Sequence, residues 1–198
     1  MFILYAIPIG IVAGYLLGGR LERLGSIRLR WVPLALIGFA IQAVLFTEPF
    51  GTWPEGLVPA LYQASTAMVL VAVLRNLAVP GVPIIAVGAA CNLAAIVANG
   101  GWMPADAAAL DSVGGLPPGA SNSIVIADPV LRPLTDLFAL PAWLPLANVF
   151  SFGDVLIGVG VAVTIALGMR RAAPALVAEP APDPDAVVGA ATGPEPMP

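Results

Sequence analysis

The feature that most limits what this chain can fold into is a set of five apolar stretches, each long enough to cross a bilayer. A membrane-spanning helix needs about 20 such residues, or about 17–25 when it is tilted. Of the 198 residues, 59% are hydrophobic and 10% are charged, whereas soluble domains carry about 25% charged residues. The sequence therefore predicts an all-α integral membrane protein. Its spans are predicted at about 2–19, 31–47, 58–74, 82–99 and 151–169.

The arginine residues predict the orientation of these spans. Cytoplasmic loops of membrane proteins carry an excess of basic residues. Seven of the eight arginines lie in the loop 20–30, at Arg75 and at Arg170–Arg171, which fall on one side of the membrane. Only Arg132 falls on the other side. The pattern predicts an external N-terminus and a cytoplasmic C-terminus.

Two segments lie outside the predicted spans. The first is an external loop at 100–150, which belongs to the transmembrane domain at 1–171. The second is the tail at 172–198, which is rich in Pro and Ala and carries only acidic charge. Such a composition cannot bury a core, so we expect a disordered cytoplasmic tail.

The external loop is expected to be partly helical. Asp128-Pro129 is typical of a helix start, with a capping side chain followed by proline at the first position. The stretch Val130–Leu140 then has helical spacing of its apolar residues, and it places Arg132 and Asp136 four residues apart as an ion pair. We predict a helix here that covers the external ends of the spans.

Small residues recur at every fourth position of the first span. In lipid this spacing allows two helix backbones to approach closely. Two readings are open: a face for self-association or for a partner protein, and a face that packs on another helix of the same chain. The residues of this face are Ala6, Gly10, Gly14 and Gly18.

Five polar residues in the external half of the membrane form the candidate site. Intramembrane polar groups are costly and usually face a partner or a wet cavity. One reading is an outward-open pocket that binds a ligand, and the other is hydrogen bonding between helices as structural support. The residues are Gln42, Gln63, Asn92, Asn99 and Asp154.

Asp154 has two interpretations of its own. Ser151-Phe152-Gly153-Asp154 matches a capping box, in which Ser151 is the N-cap and the acidic residue stands at N3. Asp154 would then satisfy a free backbone N–H at the start of the last helix. The alternative is a proton or cation site that faces Asn92 and Asn99.

Composition excludes several classes of site. The chain has no histidine, no lysine and one cysteine, Cys91, which excludes His-ligated metals, Ser–His nucleophiles and Schiff bases. We expect no catalytic residue, no metal and no cofactor. The net charge of −4 comes from the tail, so a nucleic-acid partner is not expected.

Several motifs together resemble one bacterial membrane family, domain of unknown function 5317. They are Asn92, Asn99-Gly100-Gly101-Trp102-Met103-Pro104, Ser121-Asn122-Ser123, Leu134-Thr135-Asp136 and the run from Asn148 to Asp154. The resemblance implies a small multi-pass protein of the bacterial inner membrane with no assigned activity. It also implies that the external loop and the start of the last helix form one unit.

Three functions remain in competition. The leading hypothesis is a non-catalytic accessory or assembly subunit of a membrane complex, with membrane lipids and other membrane protein subunits as partners. The alternative is binding or transport of a small solute, an ion or a lipid through the external polar pocket. The second alternative is an enzyme for a lipid-linked substrate, with Asp154, Asp136 or Asp128 as acid or base.

Overall fold

The computed structural model of the protein describes residues 2–47, 53–54, 56–115 and 122–170, so the tail predicted at 172–198 lies outside the described residues. The described part is mostly helical, as predicted. A 3-10 turn at Phe2–Tyr5 leads into the first helix. The helices are α1 (Ala6–Leu16), α2 (Val32–Thr47), α3 (Leu57–Leu74), α4 (Val82–Ala98), α5 (Ala107–Ser112) and α6 (Phe152–Gly168).

The five long helices pack side by side in the order α1, α6, α4, α3, α2. Helices α1 and α2 are therefore the edges of one open layer. The residues between α4 and α6 lie over one end of this layer, and we call the described part of them, 100–115 and 122–150, the cap. The opposite end of the layer carries Arg20–Arg30 and Arg75, and we call it the arginine end.

Glycine residues set how closely α4 and α6 approach. A Cβ atom placed on Gly88 would lie 2.4 Å from the carbonyl oxygen of Gly153, and one placed on Gly160 would lie 2.8 Å from that of Gly81. Neither position leaves room for a side chain. The backbones of α4 and α6 are therefore in direct contact near both ends of the interface.

The small-residue face of α1 lies against α6. Ala6, Gly10 and Gly14 are buried, and a Cβ on Gly10 would lie 2.9 Å from the Cα of Ala162. Gly18 is not part of this contact, because it lies after the helix with a φ of 75° and has open space around its Cα. Three of the four residues therefore share one intramolecular face.

The cap departs from the all-α prediction. Its strands are β1 (Met103–Ala105), which pairs in parallel with β2 (Ser123–Val125), and β3 (Phe138–Ala139), which pairs antiparallel with β4 (Val149–Phe150).

The helix predicted over 130–140 is wrong. Only Arg132–Leu134 forms a 3-10 turn. Leu131 has a φ of 55°, which breaks a right-handed helix. The amide of Asp136 donates to the carbonyl of Pro104 in β1 instead of to a helical carbonyl. The predicted pair with Asp136 is also wrong, because Arg132 Nη2 lies 3.8 Å from Asp106 Oδ2.

Four of the five long helices are shorter than the predicted spans, and α3 is one residue longer. By length and composition, one described helix, Leu57–Leu74, is long and apolar enough to cross a membrane, and the other four apolar helices have 10–17 residues. The helix lengths thus do not support five full spans. The difference arises at the ends of the predicted spans. Residues that the prediction assigned to a span form turns there, as at Phe2–Tyr5 and at Gly18.

Candidate functional site

Asn92, Ser151 and Asp154 form one hydrogen-bond network between α4 and α6. Asn92 Nδ2 donates to Asp154 Oδ1 at 2.8 Å, and Ser151 Oγ donates to Asn92 Oδ1 at 2.8 Å. The capping box is confirmed, because the Asp154 amide donates to Ser151 Oγ at 3.0 Å and the Ser151 amide donates to Asp154 Oδ2 at 3.1 Å. Asp154 therefore both caps α6 and binds α4.

Gly153 makes the network possible. A Cβ atom at this position would lie 1.9 Å from Asn92 Oδ1, so only glycine allows the Asn92 side chain to reach the first turn of α6. The backbone contact between Gly88 and Gly153 lies one helical turn away along α4. Gly88 and Asn92 lie one turn apart on α4, and both contact the segment Ser151-x-Gly153-Asp154 at the start of α6.

Asp136 lies under the cap and is 5% exposed. Its amide donates to the Pro104 carbonyl at 2.9 Å, and its own carbonyl accepts from the Asp106 amide at 3.0 Å. The side-chain Oδ2 accepts a hydrogen bond from Ser123 Oγ at 2.9 Å. Both backbone and side chain of Asp136 are thus held by the strands of the cap.

Burial raises the pKa of Asp136 from 3.8 to about 7, because the ionised form loses its contact with water. The negative charge of Asp154 raises this pKa further, and the Ser123 hydrogen bond partly opposes the shift. The carboxyl group of Asp154 at the start of α6 is therefore near enough for its charge to act on Asp136 of the cap.

Tyr62 joins α3 to the cap. Its side chain is 5% exposed, and its Oη accepts a hydrogen bond from Asn122 Nδ2 at 3.1 Å. The ring packs edge-on against Phe46 of α2 with centroids 5.1 Å apart. It belongs to a buried apolar cluster with Leu45, Ala95, Ile96 and Met103. Tyr62 thus lies where α2, α3, α4 and the cap meet.

Asn99 holds the cap by a reciprocal pair of hydrogen bonds. Its Oδ1 accepts from the Val130 amide at 2.9 Å, and its Nδ2 donates to the Val130 carbonyl at 2.8 Å. The same Nδ2 donates to the Ala95 carbonyl of α4 at 2.8 Å. Asn99 therefore bonds the end of α4 to the cap, and its hydrogen bonds do not include Asp154.

The two glutamines are bonded within the helical layer. Gln42 Nε2 donates to Thr66 Oγ1 at 3.3 Å, which links α2 to α3. Gln63 Nε2 donates to the Pro59 carbonyl of its own helix at 3.3 Å, and Gly101 of the cap packs against it. Of the five predicted site residues, hydrogen bonds thus join only Asn92 and Asp154, and Asn99, Gln42 and Gln63 each bond elsewhere.

Residues 26–166 match a single protein family, described as a family of unknown function (DUF5317). The chain belongs to DUF5317. The matched region includes α2 to α5, the whole cap and α6 up to Ala166. No curated protein and no solved structure matches the chain.

The DUF5317 motifs contain the site residues that the polar-residue argument missed. Asn122, Ser123 and Asp136 lie in the cap motifs Ser-Asn-Ser and Leu-Thr-Asp, and they make the buried contacts described above. Their motif membership was the signal that could have found them. Tyr62 carried no such signal, since one aromatic residue in an apolar helix reads as core packing.

The described part of this DUF5317 chain offers acid–base groups rather than metal ligands. Within residues 2–47, 53–54, 56–115 and 122–170, no group of three metal-ligating side chains is close enough to hold an ion. Asp136 is buried, and the charge of the half-buried Asp154 at the start of α6 acts on it. With its raised pKa, Asp136 is the group of this arrangement that can exchange a proton near neutral pH.

Proposed function

We propose that this DUF5317 protein is a multi-pass protein of the bacterial inner membrane that serves as a non-catalytic accessory or assembly subunit of a membrane complex. One observation carries the proposal: the layer of helices is open at both edges. Helix α1 contacts α6 and helix α2 contacts α3, and the outward sides of both are apolar and exposed. Such sides are stable against lipid or another apolar helix.

The exposed apolar surface of the helices supports the membrane environment. Helices α2, α3, α4 and α6, of 16–18 residues, extend about 24–27 Å, and a bilayer core of about 30 Å adapts to a short helix by local thinning. Helix α1 has 11 residues and is too short to cross the core by itself. Leu16 is 83% exposed, Leu36 is 61% exposed and Ile9 is 60% exposed. Water would penalise such a surface, whereas hydrocarbon accepts it.

The proposed orientation places the cap outside the cell and the arginine end in the cytoplasm. Among the described residues, all arginines except Arg132 of the cap lie at the arginine end. Cytoplasmic positions favour such residues. The cap, which carries Asp106, Asp111, Asp128 and Asp136, lies at the opposite end.

The docking face that we propose lies along α2. Ile37, Ala40, Ile41 and Val44 follow one another at helical spacing and line an apolar groove of about 340 Å³ together with Leu45, Trp53 and Leu61. In lipid, helices associate by close packing, which small residues such as Ala40 allow. The occupant we assign to this groove is a transmembrane helix of a partner subunit.

Site-specific photocrosslinking in native membranes tests this assignment. A photoreactive amino acid replaces Val44, which is 39% exposed on α2, or Val159, which is 48% exposed on α6 and serves as the matched control. We expect one stoichiometric protein adduct from position 44 and lipid adducts alone from position 159. Equal adducts from both positions, or recovery of the protein from the soluble fraction, would overturn the proposal.

A solute pocket receives less support. Gln42, Gln63, Asn92, Asn99 and Asp154 each bond to another group of the protein, and none of them lines the groove along α2.

A proton-responsive site is a second candidate function, favoured by the proximity of Asp136 and Asp154 beneath the cap. Perturbed carboxyl groups of this kind often mark functional sites. The pH dependence of cap stability tests it.

A further inference from the structure

A second apolar groove, of about 380 Å³, lies at the arginine end of the layer. Helices α2, α3, α4 and α6 all contribute to its walls. Ligand sites in proteins have volumes of about 300–1,000 Å³ and combine an apolar lining with a few polar groups. The lining residues on which the argument depends are Arg30, Ala35, Phe39, Asn76, Ile85 and Thr164.

Asn76 holds Arg30 at the mouth of this groove. The Arg30 amide donates to Asn76 Oδ1 at 2.7 Å, and Asn76 Nδ2 donates to the Arg30 carbonyl at 2.8 Å. Asn76 Nδ2 also donates to the Ala72 carbonyl of α3 at 2.7 Å. The backbone of Arg30 is therefore fixed on the end of α3, while its side chain is exposed.

The backbone next to Arg30 is strained. Trp31 has a φ of 59°, a conformation that bulky residues rarely adopt. Its ring lies 5.2 Å from the guanidinium carbon of Arg75, a cation–π contact that holds the strained turn. Such strain persists only where the surroundings enforce it, and it concentrates at functional positions. The turn fixes a cationic residue beside an apolar groove.

The groove extends along part of one leaflet. Its lining residues on α2 run from Val32, the first residue of the helix, to Phe39, seven residues further along. At 1.5 Å per residue this distance is about 10 Å. Half of a hydrocarbon core of about 30 Å is about 15 Å. The groove thus runs from the arginine end through about two thirds of one leaflet.

We propose that this groove binds one acyl chain of an anionic phospholipid from the cytoplasmic leaflet, with Arg30 paired to a lipid phosphate whose negative charge no choline cation offsets. The inference rests on the membrane orientation in the proposed function. A guanidinium group binds phosphate through two parallel hydrogen bonds, and basic pockets between helices on the cytoplasmic side suit anionic headgroups. The charge at the mouth favours a lipid over an apolar partner helix.

Native mass spectrometry of the full-length protein from detergent tests the proposal. Phosphatidylglycerol and phosphatidylcholine with the same acyl chains are added in competition. Arg30→Gln removes the charge at the mouth, and Arg28→Gln is the matched control, because it removes the same charge from an exposed residue of the same loop that does not line the groove. Ala35→Trp fills the groove and leaves Arg30 in place.

We expect the wild-type protein to prefer phosphatidylglycerol and Arg30→Gln to lower that preference about fivefold, which corresponds to about 1 kcal/mol per basic residue near an anionic headgroup. Arg28→Gln should keep the preference, and Ala35→Trp should lower the binding of both lipids. Equal loss in the two arginine variants, or equal binding of the two lipids, would overturn the proposal.

The location of the protein separates this inference from the proposed function. Recovery from the membrane fraction without a lipid preference overturns the lipid site alone. Recovery from the soluble fraction overturns both. Circular dichroism of each variant confirms that its helices are formed, so a lost lipid adduct then reports on the groove.

Discussion

At the scale of single residues, Asp136 couples the cap to pH. Its carboxyl group has a pKa of about 7 when folded and 3.8 as its ordinary value. Because the folded protein holds the proton more tightly, the stabilising contribution is fully present below about pH 4 and is lost as the pH rises to about 7. The slope in this window is at most about 1.4 kcal/mol per pH unit.

Asp136→Asn keeps an acceptor for Ser123 and removes the titration. We expect the free energy of unfolding of this variant to vary less between pH 4 and 7 than that of the wild type, and to exceed it at pH 8. Chemical unfolding in detergent at several pH values measures this. Asp111→Asn, an exposed residue of α5, is the control. The idea fails if both variants keep the wild-type slope.

Asn92 bonds α4 to Ser151 and Asp154, the residues that form the capping box of α6. Asn92→Ala leaves Ser151 Oγ and Asp154 Oδ1 without the partners they have at 2.8 Å. We expect a loss of about 1–3 kcal/mol in the free energy of unfolding, since part-buried polar groups become unsatisfied. Asn148→Ala, which removes one local bond at an exposed position, should cost less. If the two variants lose the same free energy of unfolding, Asn92 does not stabilise the α4–α6 interface more than an ordinary exposed side chain does.

At the scale of elements, the α4–α6 interface depends on direct contact between backbones. Gly88→Ala would place a Cβ 2.4 Å from the Gly153 carbonyl oxygen. We expect a destabilisation of about 1–3 kcal/mol from overpacking, measured as the midpoint of thermal unfolding. Gly25→Ala is the matched control, because a Cβ there meets open space. A Gly88→Ala protein as stable as the control would mean that the helices separate at little cost.

The elements of the cap could not be predicted from local pattern. Val130–Leu140 has helical spacing, yet it forms a short 3-10 turn and a strand. The backbone of Asp136 pairs with Pro104 and Asp106, which are about thirty residues earlier. Pairing partners this distant leave no periodic signal in the segment itself, so the helical spacing gave the wrong element.

At the scale of the whole molecule, the proposed orientation has a direct test. Cys91 is the one cysteine of the sequence. The Cys91→Ala variant is therefore free of cysteine, and a single cysteine can be introduced into it at a chosen position. In intact cells, we expect a membrane-impermeant maleimide to label Asp111→Cys in the cap. Arg23→Cys at the arginine end should react only after permeabilisation. The reverse pattern would invert the topology, and labelling of both sites in intact cells would exclude the proposed embedding.

The sequence by itself determined that the chain is mostly helical, that it belongs to DUF5317 and that Ser151 and Asp154 cap the last helix. These properties depend on apolar runs, on motifs and on contacts three residues apart, which are local along the chain. Only the tertiary structure decided that α1 and α2 are the edges of the layer and that Asn92 bonds to Asp154. It also decided that Asp136 is buried under the cap. Each of these depends on which backbones approach closely, and that choice follows the glycines on facing helices rather than hydrophobicity, which is similar in every helix.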